Sequence, residues 1–173
     1  ERETLGVPPL PLTAEQTAEV IELVKANCTD ELLDLLTNRV APGVDDSAHV
    51  KAAFLNEVAA ENVTVAAIAP EKAVEMMGMM LGGFNVLPMI NALSSSNAAV
   101  VEAAVTALSK TLLVYDAFND VENLHKAENA AATKVMASWA HAEWFTHKPA
   151  LAEEITVTVY KVPGETNTDD LSP

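Results

Sequence analysis

The chain has 173 residues, half of them hydrophobic but only 5% aromatic, and its 10 basic against 25 acidic residues leave a net charge of −15. That length and apolar share exclude a disordered tail and suit one ordinary domain, and the dominance of alanine, valine and leucine favours close-packed helices over a β-sandwich. The acidic balance argues against a nonspecific grip on nucleic acid, which needs a basic surface to release counterions from phosphates, and against an anionic membrane surface.

An arm, residues 1–12, comes first; Pro8, Pro9 and Pro11 favour an extended path across the surface. Thr13 with Gln16 three residues on makes a capping box, which predicts a helix start, and Thr17, Val20, Ile21 and Val24 then share a buried face. A second helix runs from about Asp30 to Val40, with Leu32, Leu33, Leu36 and Val40 on one face and Leu35 widening it. Pro42-Gly43 ends it. Asp46 or Ser47 caps a third helix, whose inner face reads Val50, Phe54 and Val58. Val63 to Ile68 is apolar and β-branched but short, and reads as a connector. Pro70 then opens a helix with Ala73, Val74, Met77 and Met80 on one face, ended by Gly82-Gly83. A short helix near Pro88 to Leu93 buries Met89, Ile90 and Leu93. Asn97 caps the next, striped by Val101, Ala104, Val105, Leu108 and Leu112. Two more are predicted around Ala117 to Lys126 and Glu128 to Trp144, the last burying Ala131, Val135, Trp139 and Ala142.

These about eight short helices, each with one apolar face and short loops between, predict an all-α domain over residues 13–150. Alanine-rich faces in antiparallel succession fit a HEAT-like α-solenoid, with a closed orthogonal bundle as the rival. After Pro149 the period changes from that of a helix to that of a strand: Ile155, Val157 and Val159 point one way, Thr156, Thr158 and Tyr160 the other. A domain boundary therefore falls near residue 150. The strand leads into the polar, acidic loop Gly164 to Pro173, which reads as the start of an interrupted second domain, residues 151–173.

The chemistry-bearing residues before that boundary are sparse. Cys28 is the sole cysteine, so no internal disulfide forms and no iron–sulfur cluster is held by this segment alone. It reads as a small buried hydrophobe at a helix end. Of the four histidines, His49, His125, His141 and His147, the last two stand near Glu143; a helix running that far would put His147 and Glu143 on one face as two metal ligands, fewer than zinc takes. Surface histidines are the plainer reading. Met76, Met77, Met79 and Met80 cluster on one helix, where Met77 and Met80 fill the core and the other two are partly exposed. Asp116 and Asp120, one helical turn apart, read as a solvated face rather than an acid–base pair. No nucleophile elbow or phosphate-binding glycine loop occurs. The start, Glu1-Arg2-Glu3-Thr4, has no signal-peptide pattern and no apolar run reaches about 20 residues, so the chain reads as cytoplasmic. The loop Thr166-Asn167-Thr168-Asp169-Asp170 differs from all of these. It gathers hydroxyl, amide and carboxylate groups just beyond a strand end, where ligands of α/β domains tend to sit, and it equally suits a polar turn.

Thr166 through Leu171-Ser172-Pro173 resembles the opening loop of the swivel domain in the aconitase superfamily, Thr-x-Thr-Asp-x-Ile/Leu-Ser-Pro. The helical segment resembles the bacterial aconitase B branch, in which a HEAT-like domain precedes the swivel domain. The residues carrying this are Leu32 to Val40 with Pro42-Gly43-Val44, then Ser138-Trp139-Ala140 with Glu143-Trp144-Phe145, then Pro149 to Glu153. The resemblance covers nearly the whole chain. It implies a parent enzyme that interconverts citrate and isocitrate through cis-aconitate, and a role for 2-methyl-cis-aconitate as a further substrate. It implies a [4Fe–4S] cluster held by three cysteines, with one iron open to the substrate, and a serine base. None of those residues matches here: Cys28 is outside the cluster motif and Ser172 belongs to the opening loop. Asp169 alone matches a residue of the substrate cleft, where it would orient an arginine or histidine. Asp170 departs from the mitochondrial type, which commonly has histidine there.

Two functional expectations follow. One is the N-terminal segment of such a hydratase, inactive alone, bordering the active-site entrance and making homodimer or other protein contacts. The other is a free-standing helical adaptor without enzymatic activity.

Overall fold

The computed structural model describes residues 2, 4, 6, 7, 9–111, 114–146, 150–159 and 164. Helix α1, Ala14–Asn27, starts under the predicted capping box: the Gln16 amide donates to Thr13 Oγ1 at 3.2 Å and the Thr13 amide to Gln16 Oε1 at 3.0 Å. Thr17, Val20, Ile21 and Val24 are buried along it, as the spacing predicts. Helix α2, Asp30–Asn38, is capped by Thr29 and buries Leu36, while Leu32, Leu33 and Leu35 pack partly exposed against the core. Among the described residues the remaining α-helices are α3, Asp46–Ala59; α4, Pro70–Gly78; α5, Val86–Ala92; α6, Ala98–Lys110; α7, Phe118–Lys126; α8, Ala130–Ala140; and α9, Glu143–Thr146. A 3₁₀ turn at Tyr115–Ala117 leads into α7. The Val63–Ile68 connector holds one isolated bridge, Val65 to Ile68, with both side chains buried.

Helix contacts follow one another through space. α2 lies on α1, α1 on α3, α3 on α4, α4 on α6, α6 on α8 and α8 on α7. α5 rests on α4 and α6, and α9 on α6 and α8. The core runs through the array without a break, and Phe54 is the one aromatic ring buried among the described residues.

Two helices, α3 and α6, depart from the predicted single stripe. α3 touches both α1 and α4, and its buried residues are Ser47, Ala48, Lys51, Ala52, Phe54, Leu55, Val58 and Ala59, with Val50 only half-buried. Its cap is Asp45 rather than Asp46 or Ser47. α6 likewise turns Val100, Ala104, Ala107 and Leu108 inward, leaving Val101 and Val105 half-buried. Alanines serve here because a helix squeezed between two others has no room for longer side chains. Leu112 lies outside the described residues.

Two predicted elements are corrected. The helix expected from Glu128 to Trp144 begins at Ala130 under an Asn129 cap and stops at Ala140. Glu128 and Ala142 have φ of 61° and 51°, and left-handed backbone does not continue a helix. The strand expected over Ile155 to Tyr160 is not formed within residues 155–159; Ile155, Val157 and Val159 are 64%, 70% and 82% exposed. A strand needs a neighbour for its ladder, and the described residues present none. No described helix is long and apolar enough to cross a membrane.

Loops are pinned by backbone contacts. The Leu12 amide donates to the Arg39 carbonyl at 2.7 Å, and the Arg39 guanidinium donates to the Leu10 carbonyl at 2.6 Å, so the arm is fastened to the end of α2. The Leu81 amide donates to the Pro42 carbonyl at 2.7 Å, and a Cβ at Gly82 would collide with the Gly43 carbonyl. Gly82→Ala is expected to cost about 2 kcal/mol or more in chemical denaturation, since backbone rather than a movable side chain blocks the new methyl.

Lys51 is 6% exposed, and its ammonium donates to the Thr37 carbonyl in the last turn of α2 at 3.2 Å. Burial holds its pKa down at about 8 against an ordinary 10.5. Between those values the unfolded chain binds a proton that the folded chain has released, so stability rises with pH across that window. Denaturation midpoints from pH 7.5 to 10.5 should show a gain of about 3 kcal/mol at most over Lys51→Met, in which the rise disappears; parallel curves would show that Lys51 titrates normally.

Candidate functional site

The loop singled out in the sequence, Thr166 to Pro173 with Asp169, lies outside the described residues, as does His147. His141 is exposed at the end of α8, and Glu143 opens α9 beyond the break at Ala142. Among the described residues no three His, Cys, Asp or Glu side chains gather as a metal site. His49 is exposed with its ring 5.1 Å from that of Phe84, and His125 Nδ1 meets Thr133 Oγ1 at 2.9 Å, tying α7 to α8. Asp116 and Asp120 are both exposed, one on the 3₁₀ turn and one on α7. Met77 and Met80 are core residues as expected, but Met76 is buried too, and only Met79 faces water.

Cys28 caps the C-terminal end of α1, with Sγ 3.8 Å from the Thr29 carbonyl. Burial first, and the Asp30 carboxylate second, push its thiol up from the ordinary range. The thiolate fraction near neutral pH is correspondingly small. Iodoacetamide should therefore alkylate Cys28 more slowly than free cysteine at pH 7.5, and Asp30→Asn should speed it; a rate at or above that of free cysteine would contradict this.

Two grooves lie between neighbouring helices. A groove of about 770 Å³ separates α1 from α3, floored by apolar side chains including Ile21, Ala53 and Phe54. Leu23 stands 54% exposed within it, and Lys25 places its ammonium 5.8 Å from the Phe54 ring centroid while pairing with Glu22 at 2.8 Å. Glu19 and Glu57 stand on the rim. A second groove of about 490 Å³ lies between α4 and α6, with Met79 and Ala103 in it and Glu71, Glu75 and Glu102 around it.

Sequence reasoning missed Lys51 and Asn85. Lys51 was legible from the spacing of Ala48, Ala52, Leu55 and Ala59, which places it among the buried positions of α3. Asn85 is 1% exposed, and its Nδ2 donates to the Met77 and Met80 carbonyls at 2.7 and 3.1 Å, closing the end of α4. A lone Asn beyond a Gly-Gly pair gives no comparable signal.

Over residues 1–145 the sequence matches the family described as the Aconitate B N-terminal domain. Across its whole length it is 53% identical to aconitate hydratase B of Escherichia coli (strain K12) and 52% identical to that of Synechocystis sp. (strain ATCC 27184 / PCC 6803 / Kazusa). It is 43% identical to the protein of the same name from Helicobacter pylori (strain J99 / ATCC 700824). In each case the chain spans 20% of the relative's length. With most of its residues inside the matched region, the chain belongs to the Aconitate B N-terminal domain family.

Proposed function

We propose that the chain is the N-terminal part of a cytoplasmic aconitate hydratase, a carbon–oxygen lyase that interconverts citrate and isocitrate through cis-aconitate in the tricarboxylic acid cycle. The observation that carries this is identity near 50% over the entire chain to proteins named aconitate hydratase B. In this reading residues 13–150 are a HEAT-like accessory domain, non-catalytic itself, that borders the active-site entrance and makes subunit contacts. The stepwise helix contacts support a solenoid over a closed bundle, since each helix rests on its near neighbours. Residues 151–173 open the swivel domain. The alternation of Ile155, Val157 and Val159 fits a strand whose neighbours lie in the rest of the protein, which would cover these exposed side chains.

The residues of this chain do not fit a [4Fe–4S] cluster. It offers one thiol, and no multi-residue ligand group among the residues described. The cluster ligands therefore belong outside the segment. Asp169 is proposed as a positioning residue of the cleft, orienting an arginine or histidine toward a tricarboxylate.

Aconitate hydration by the full-length protein, reconstituted anaerobically with iron and sulfide, tests the reading, with this segment assayed beside it. Activity is expected in the full-length protein only. Asp169→Asn should lower kcat by about 10²-fold, the scale of a displaced positioning group. A full-length protein with a complete cluster and no activity on cis-aconitate or 2-methyl-cis-aconitate would overturn it.

A further inference from the structure

We infer that the α1–α3 groove docks an amphipathic helix flanked by lysine or arginine, supplied by another protein. The inference extends the accessory role proposed above but rests on none of the chemistry. The floor is apolar and open: Ala18 and Ala53 are exposed on facing helices, Leu23 is 54% exposed, and Phe54 lies at the base. A groove of about 770 Å³ between two neighbouring helices suits the apolar face of a third. A small molecule is the weaker fit, because the floor lacks the polar groups that fix a ligand's orientation.

The rim decides the partner's charge. Three glutamates, Glu19, Glu22 and Glu57, face one lysine, Lys25, and Lys25 is already spent on Glu22. Among the described residues no cation pairs with Glu19 or Glu57. Glu57 is instead held in place by the side-chain amides of Asn62 at 3.3 Å and Asn56 at 3.5 Å, which fixes its carboxylate without neutralising it. A second copy of this chain, with 25 acidic and 10 basic residues, would meet this rim with like charge. Nucleic acid is repelled for the same reason. The α4–α6 groove repeats the chemistry independently. There Glu71, Glu75 and Glu102 face one lysine, Lys110, beside an exposed Met79, and Glu75 already pairs with Lys72. Both grooves therefore call for an apolar helix with a positive border.

The test uses the full-length protein and a fluorescein-labelled peptide of about 18 residues, long enough for stable helix on docking, built from Leu, Ala and Lys at amphipathic spacing. A scrambled peptide of the same composition controls for plain charge attraction. At about 150 mM salt, where exposed charges are screened, the amphipathic peptide should bind in the micromolar range and the scramble about tenfold more weakly. Ala53→Lys and Glu57→Gln should each weaken binding about tenfold with hydratase activity and melting temperature unchanged. Equal binding of both peptides, or variants that bind as the parent does, overturns the inference. So does protection of Leu23→Cys from maleimide in the peptide-free protein, read on its own tryptic fragment, because the groove would then already be filled by the protein itself or a second copy. Activity without peptide binding sinks only the groove. Peptide binding without activity sinks only the hydratase.

Discussion

The approach of α4 to α6 at Gly78 sets the spacing of the whole array. A Cβ on Gly78 would stand 2.9 Å from the Ala107 Cβ, inside normal contact, so the two helices meet there with almost nothing between their backbones. α3 rests on α4, and α8 on α6, so this is the joint between the first half of the chain and the second. A larger residue at Gly78 would push those halves apart and strip contacts from Ala73, Val74, Met77, Ala104 and Leu108, all fully buried. Dispersion weakens steeply over a gap of even half an ångström. Scarce aromatics follow from the same constraint: helices this close leave space for alanine and valine, and rings move to the margins, as Phe118 does against Trp139 at 6.0 Å.

Polar side chains then fix the corners that such packing leaves open. Every helix end exposes backbone groups without partners. Asn129 closes two ends at once, accepting the Ala132 amide at the start of α8 while donating to the Leu93 carbonyl just beyond α5 at 3.1 Å. Asn97 accepts the Ala99 amide and reaches Glu61 in the turn after α3 at 2.9 Å. Trp139 spends its indole N–H on the Leu108 carbonyl near the end of α6 at 2.8 Å. The bonds to Leu93, Glu61 and Leu108 link segments distant in sequence. These corners hold neighbouring helices at fixed separation, which keeps the grooves between them shaped before anything binds.

Much of this was legible because helix starts are local events. Thr13 with Gln16, Pro70 and Asn97 announce themselves within one turn, and all three start helices as read. Faces were less legible. One apolar stripe predicts the buried residues of α1 but falls short for α3 and α6, where alanines complete the buried face. The stop at Ala142 was illegible because its left-handed φ of 51° falls on an alanine, with no glycine to signal it. The grooves could not be read at all, since Leu23, Ala53 and Glu57 come together only once α1 lies on α3.

The same packing decides what kind of work the array does. A proton-transferring site needs titratable groups held out of water and aimed at one another, so that their pKa values separate. Among the described residues the one buried titratable side chain is Lys51, and its ammonium is committed to the last turn of α2. The acidic residues of the grooves face solvent on helices fixed by small-residue contacts. What surface charge of this kind supplies is partner selection and faster encounter. This setting supports the proposed accessory role, with the proposed chemistry assigned beyond residue 150 and the proposed docking before it.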